Sequence, residues 1–435
     1  MPYCQPTICC QSNLTFCYSN NLLSTLFQTQ SLHNIMGANS KPQKYTQTDK
    51  FLWIVTFAYL VVLYVIGRKP MVTIGFTLLV LIASNFKFTI YKYHIFTLQF
   101  CLYCYATTFW ALNGRYTISA TNDIFITLMS LFVFYEYWKN VRDINILLKI
   151  IMWAGVIVVI YTYYYYGVSN IVSSENEARL QNKFNNVNTI AMLTAIVLII
   201  NYYFMLFVKK DWSALIWIPC LMIISATQSR KAIVMLIIGV FFLYFFKQRK
   251  EARNHLFHSY TKIFFFSVIF ILIIAILSQT SMFSGLADRM RGLIASVTGE
   301  GKEDASAMLR RLYREEAWKQ FYQTPIVGCG INNSIIFLSR NLGHMTYTHC
   351  NYAELAACGG IIGLISYYSI FAYILFNELK YIKIESSAVL IVTWIMTKLV
   401  MDWGAVSYNS HSTYFYLMLY FIHLDNMKRK YPRIK

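Results

Sequence analysis

Apolar residues in this chain come in long blocks, and the polar positions gather in the short gaps between them. The blocks centre on residues 51–67, 71–87, 92–112, 121–138, 146–167, 188–208, 212–228, 231–246, 260–278, 360–377, 387–403 and 407–424. Most have about the 17 to 22 residues that a helix needs to cross the hydrocarbon core of a bilayer. The pattern predicts an all-α, polytopic membrane protein with about twelve transmembrane helices. It divides the chain into an N-terminal cytoplasmic tail (1–50, expected to be disordered), helices 1–9 (51–278), a large extracytoplasmic loop (279–359) between helices 9 and 10, helices 10–12 (360–424), and a basic cytoplasmic tail (425–435).

Composition supports this class. The chain is 57% hydrophobic and 13% charged, where a soluble domain carries about a quarter charged residues. Its 34 Tyr and 32 Phe suit membrane interfaces and helix packing. The net charge of +19 raises the question of nucleic acid, but membrane topology accounts for most of it. Short loops rich in Lys and Arg stay in the cytoplasm. With an even number of spans both ends lie on one side, and the tail KRKYPRIK (428–435) marks that side as inside. Lys139, Arg142, Lys209, Lys210, the run KQRKEAR (247–253), Lys380 and Lys383 then all fall inside, and Arg68 with Lys69 breaks the rule.

The ten cysteines are scattered. Cys101 and Cys104 form a C-x-x-C inside a predicted span, where small apolar packing is expected rather than redox or zinc chemistry. Four more stand in the first 17 residues, a leader without the charged start and long apolar stretch of a signal peptide. It reads either as a disordered tail or as an upstream extension of a chain that begins at Met36.

The polar chemistry concentrates in 279–359, which carries eight Lys and Arg residues. Within it, DASAMLRRLYREEAWKQFYQ (304–323) predicts an amphipathic helix, with Asp304 as N-cap or first-turn acid and with Leu309, Leu312, Tyr313 and Phe321 near one face. Arg310, Arg311 and Arg314 fall within one and a half turns, so at least two share a direction. TPIVGCGINN (324–333) is a turn segment, in which Gly328 and Gly330 permit close backbone approach. THCNYAELAACGGIIG (348–363) follows, a histidine before small residues and glycines at the mouth of a span. On the same predicted face, SATQSRKAI (225–233) sets Arg230 and Lys231 into an otherwise apolar stretch. Charges held at membrane depth are expected to serve a site.

Arginine suits phosphate, because its planar fork makes paired charge-assisted hydrogen bonds and keeps its proton. His349 is a candidate general base, since imidazole titrates near neutrality. A base beside arginines is the minimum for moving a glycosyl group from a lipid diphosphate to a hydroxyl. Metal chemistry is not expected: the outer face has no Asp-x-Asp, and His344 with His349 at i and i+5 makes a poor pair of ligands. No metal or other cofactor is expected.

In order along the chain, SRKA (229–232), the arginine helix, TPIVGCGINN and the stretch from His349 through Gly360 to Gly363 resemble the bacterial O-antigen ligase and polymerase superfamily. The resemblance covers 225–365, about a third of the chain. Cys350 stands where the family usually has an amide or hydroxyl residue, and Lys231 where it has Gly or Ser. The resemblance implies that His349, Arg230 and a loop arginine engage undecaprenyl diphosphate and activate the acceptor. Spacing to Pro325 favours Arg310 for that loop position, with Arg311 and Arg314 as alternatives. Arg311, Arg314, Lys231, Gly360 and Gly363 are expected in substrate binding.

The resulting expectation is a metal-independent glycosyltransferase of the bacterial inner membrane with its site facing the periplasm or cell exterior. It would polymerise undecaprenyl-diphosphate-linked repeat units into O-antigen or capsule, beside a flippase and a chain-length regulator. A ligase that transfers finished glycan to lipid A core or protein is the alternative. A transporter of lipid-linked sugar is more distant: it calls for repeated halves and midplane ionisable residues, of which only Asp402 offers an isolated example.

Overall fold

The computed structural model describes residues 45–67, 70–83, 89–172, 180, 186–208, 212–251, 285–292 and 305–434. The predicted tail up to residue 44, the cation pairs 68–69 and 209–210, the span at 260–278 and the N-cap Asp304 lie outside the described residues. From Thr46 onward the chain forms one compact unit. Among the described residues all regular structure is helical.

Among the described residues the longer helices are α1 (Gln47–Val65), α2 (Pro70–Ala83), α3 (Lys92–Ala106), α4 (Gly114–Trp138), α5 (Ile144–Tyr166), α6 (Val187–Phe207), α7 (Trp217–Ala226), α8 (Arg230–Glu251), α9 (Ala305–Gln323), α10 (Ser334–Leu342), α11 (Asn351–Glu378), α12 (Ser386–Met401) and α13 (His411–Lys430). Six of them, α1, α4, α5, α6, α8 and α11, are long and apolar enough to cross a membrane. The others on predicted spans are shorter or carry more charge, as in α13 with its Asp425 and terminal KRK.

Short polar residues set the starts. Thr46 and Asp49 close a capping box on α1, with the Asp49 amide donating to Thr46 Oγ1 at 3.2 Å and the Thr46 amide to Asp49 Oδ2 at 2.6 Å. Asn113, Asp143 and Asn186 accept from the amides of Arg115, Asn145 and Asn188 to start α4, α5 and α6. Each such bond satisfies one of the four amides a helix leaves open at its N-terminus.

α6 is the inner post of the bundle: 72% of its apolar window is buried, against 33% for the peripheral α1. It packs on α5, α7 and α8, and α8 packs in turn on α12. α11 is the second post, contacted by α3, α9, α12 and α13. The starts of α6, α8, α11 and α13 and the end of α12 therefore gather at one end of the bundle. Cys101 and Cys104 are buried free thiols in α3.

Candidate active site

The predicted span at 360–377 begins nine residues earlier, at Asn351, and the glycines that looked like a helix entrance lie inside it. Gly360, at φ +62°, breaks the helix. The turn segment 325–330 completes the broken ladder. The amides of Cys329 and Gly330 donate to the carbonyls of Ala357 and Cys358 at 3.0 and 2.9 Å. In return, Ile361 and Ile362 donate to the carbonyls of Pro325 and Ile326 at 2.9 and 3.2 Å. Backbone groups freed by a kink need such partners, above all at membrane depth. The fit leaves no room for a side chain: a Cβ on Gly360 would stand 2.3 Å from the Ile326 carbonyl oxygen, and one on Gly328 2.4 Å from the Cys358 backbone. The Tyr103 hydroxyl donates to the carbonyls of Val327 and Gly359 and locks the seam. Gly363 faces the Tyr103 ring. Gly360 and Gly363, expected in substrate binding, are packed against protein, and the lining of the cavity described below does not include them.

The candidate base stands two residues before α11. His349 sits at φ +59°, a left-handed conformation that costs a non-glycine residue roughly 1 to 2 kcal/mol. Its neighbours hold it there. The Thr348 amide donates to buried Glu354 at 3.0 Å, the Thr348 hydroxyl to the Cys350 carbonyl at 2.9 Å, and the Asn351 amide to the Asp402 carbonyl at 2.7 Å. Glu354 is fixed in turn by the Ser334 hydroxyl. Tyr347 lies 4.2 Å from the imidazole, centroid to centroid, and Tyr313 of α9 stacks at 6.2 Å. His349 Nδ1 is buried and has no hydrogen-bond partner among the described residues. Burial, then the charges of Arg310 and Lys231, push the imidazole pKa down to about 4. The ring is neutral at pH 7, the form that can accept a proton.

α9 occupies 305–323 as predicted, but its buried stripe is Tyr313 and Ala317, while Leu309 is 38% exposed. The reason is tertiary: α9 packs on α11, and Tyr313 and Ala317 are its buried residues. Arg310 and Arg314, at i and i+4, flank that stripe and are half-buried. Arg310 acts on His349, and Arg314 lies over the Trp403 ring at 5.8 Å. Arg311 points away, exposed, with its Nε 3.8 Å from Glu315. At the start of α8, Lys231 lies near enough to influence His349, while Arg230 donates to the Arg289 carbonyl at 3.3 Å in the helical stretch 285–292. Thus His349, Arg310 and Lys231 come together, Arg314 adjoins them, Arg230 turns toward 285–292, and Arg311 faces outward.

Beside this group opens a cavity of about 280 Å³. Its polar end carries Asn186, Asn188, Lys231, Tyr347, Lys398, Asp402 and Ser407, and its walls continue through apolar and aromatic residues of α6, α12 and α13, among them Leu193, Trp394 and Tyr420. An anionic head on an apolar chain has this shape.

Residues 214–368 match the family model for O-antigen ligase. The match supports the O-antigen ligase/polymerase superfamily for this region. It covers a little over a third of the chain and contains α7 through the middle of α11, so Lys231, Arg310 and His349 all fall inside the O-antigen ligase region. Members of the superfamily are glycosyltransferase-like enzymes. No curated protein matches the chain. Asn186, Asn188, Lys398, Asp402 and Ser407 lie outside the matched region, yet share the cavity with Lys231. Sequence reasoning missed all of these but Asp402, which it took as isolated; Lys398 stands four residues earlier on the same helical face, a spacing that announces a pair.

Proposed function

We propose that this protein is a glycosyltransferase of the bacterial inner membrane that polymerises undecaprenyl-diphosphate-linked oligosaccharide repeat units into O-antigen or capsular polysaccharide. Twelve spans with both termini in the cytoplasm put the His349 end of the bundle at the periplasmic or outer face. The observation that carries the reading is a neutral, half-buried imidazole beside Arg310 and Lys231, next to a cavity polar at one end and apolar beyond.

His349 takes the proton of the acceptor hydroxyl as its oxygen attacks C1 of the donor sugar. The bond from C1 to the diphosphate oxygen breaks, and its electron pair leaves with the diphosphate. Arg310 and Lys231, with Arg314 adjoining, stabilise that developing charge. Donor and acceptor are both lipid-linked glycans, so the reaction needs no nucleotide sugar and no metal. A flippase delivers the units and a chain-length regulator limits them.

The second reading is a ligase that transfers finished glycan to lipid A core or protein; the family match is compatible with both and does not separate them. The two separate in the lipid-linked and surface glycans of a deletion strain complemented with wild type or His349→Ala. Single repeat units on the normal surface anchor mean polymerase; long chains stranded on undecaprenyl diphosphate mean ligase. Units trapped on the cytoplasmic face would overturn both and favour a transporter. A wild-type profile from His349→Ala would overturn the catalytic assignment.

A further inference from the structure

The cavity contains a second cation, outside the matched region, that the reaction above does not use. Lys398 stands one turn before the end of α12, its side chain 15% exposed, with Asp402 2% exposed. Taking such a pair out of water costs several kcal/mol per ion, and a well-packed apolar pair of the same volume is often as stable. Charged residues at this depth are functional candidates for that reason.

The surroundings separate the lysine's role from the carboxylate's. Lys398 Nζ donates to Asp402 Oδ2 at 2.5 Å and to Ser407 Oγ at 2.9 Å, and sits 4.6 and 5.2 Å from the ring centroids of Phe371 and Tyr367. Asp402 has other donors. The Tyr368 hydroxyl reaches Oδ2 at 3.0 Å, Asn351 Nδ2 reaches it at 3.5 Å, and the Ser407 hydroxyl reaches Oδ1 at 2.6 Å. Asp402 therefore keeps three hydrogen bonds if the ammonium turns part of its charge toward a second anion. An ammonium has three donors on a rotatable stem, and can be shared in this way.

Lys398 and Lys231 reach the same cavity from different helices, α12 and α8. We propose that Lys398 is a ligand-binding residue: its ammonium grips the diphosphate of the polyprenyl carrier together with Lys231, while Asp402, Ser407 and Asn351 hold it in position. The inference rests on the lipid diphosphate of the proposed function. Asn351 makes the grip and the base one unit. Two residues after His349, its amide donates to the Asp402 carbonyl and its Oδ1 accepts from the amides of Ser407 and Tyr408 at 2.8 and 3.0 Å.

The test is binding of undecaprenyl diphosphate, without glycan, to the full chain in lipid nanodiscs, with undecaprenol as the uncharged control. Loss of one charge-assisted contact predicts a Kd about 10-fold weaker or more in Lys398→Met, unchanged undecaprenol binding, and recovery of most of the loss in Lys398→Arg. Lys398→Met leaves Asp402 without its cation, so Lys398→Met/Asp402→Asn, which removes both charges, is the companion variant should the single one fail to fold; it should show the same selective loss. Wild-type diphosphate affinity in a folded Lys398→Met, or in the double variant, overturns the inference alone. Failure of the wild type to bind undecaprenyl diphosphate overturns both the inference and the function on which it rests.

Discussion

The two ends of α11, α12 and α13 each hold a buried polar network built from the same kinds of group, yet among the described residues only one of the two lines a described cavity. At the His349 end, Lys398, Asp402, Ser407, Asn351 and Tyr368 share hydrogen bonds, and three of the five line the cavity. At the opposite end, Glu378 accepts from His423 Nδ1 at 2.9 and 3.0 Å, and His423 Nε2 meets Ser387 Oγ at 2.8 Å. That order of Ser, His and carboxylate is the order of a hydrolytic triad. Glu378 and His423 are nonetheless fully buried and Ser387 nearly so, with Tyr381, Ala388, Leu424 and Met427 forming the adjoining core. A nucleophile needs a place for a reacting atom beside it, and none of the three lines a described cavity. The sealed network ties three helices together; the open one can exchange partners with a ligand. The difference lies in access, since the bonds themselves are alike.

Changes at the open end should therefore reach function, and changes at the sealed end should reach stability alone. The largest effect is expected from His349→Ala, which should lower kcat by about 10² to 10⁴-fold in transfer between lipid-linked glycans, with the melting temperature in detergent little changed. Next comes Gly360→Ala. The strain of a left-handed alanine and the clash with the Ile326 carbonyl together predict a loss of about 3 kcal/mol or more, read as lower yield and earlier thermal unfolding; an unaffected melting curve would mean that the seam is not tight. His423→Ala leaves Glu378 buried without its partner and should cost about 3 kcal/mol of stability, with KM unchanged in the protein that remains folded. A change in KM there would break the comparison.

A pH profile sharpens it further. The folded His349 pKa lies below the ordinary imidazole value, at about 4, so the neutral base persists as pH falls through 6.5 and is lost only as it nears 4. The expected kcat/KM is flat on its acid side down to about pH 5; an acid limb centred at 6.5 would place His349 in water. The smallest effect is expected from Arg311→Ala, within ±0.5 kcal/mol in stability as for other exposed positions and with wild-type kcat/KM, whereas Arg310→Ala should reduce kcat/KM about 10-fold or more. Equal losses from the two would remove the distinction between inner and outer arginines.

The helical class and the helix at 305–323 are legible in the chain because they rest on local periodicity, and His349 stands out as a candidate because it is a rare residue beside an apolar span. Three things were not legible. The glycines 359 and 360 read as a helix entrance because glycine weakens an isolated helix; only the turn 325–330, more than 25 residues earlier, supplies the partners that let the helix run through them. Of three arginines within one and a half turns, periodicity says that some share a face, but the face is chosen by α11. Asp402 read as an isolated charge at the end of an apolar span, and Lys398, four residues earlier, was passed over.

The sequence by itself determined which segments are apolar enough to span or be buried in a bundle, where the polar chemistry concentrates, and which groups are suited to take a proton or hold a phosphate. Those properties belong to side chains and to local spacing. The tertiary structure alone decided that the His349 pKa is pushed down, that Arg310 and Lys231 rather than Arg311 act on it, that Gly360 and Gly363 are packed against protein, and that one buried network lines a cavity while its counterpart is buried away from it. Each of these depends on burial and on the distance between charges far apart in the chain, and desolvation and Coulomb interactions take their size from the folded arrangement.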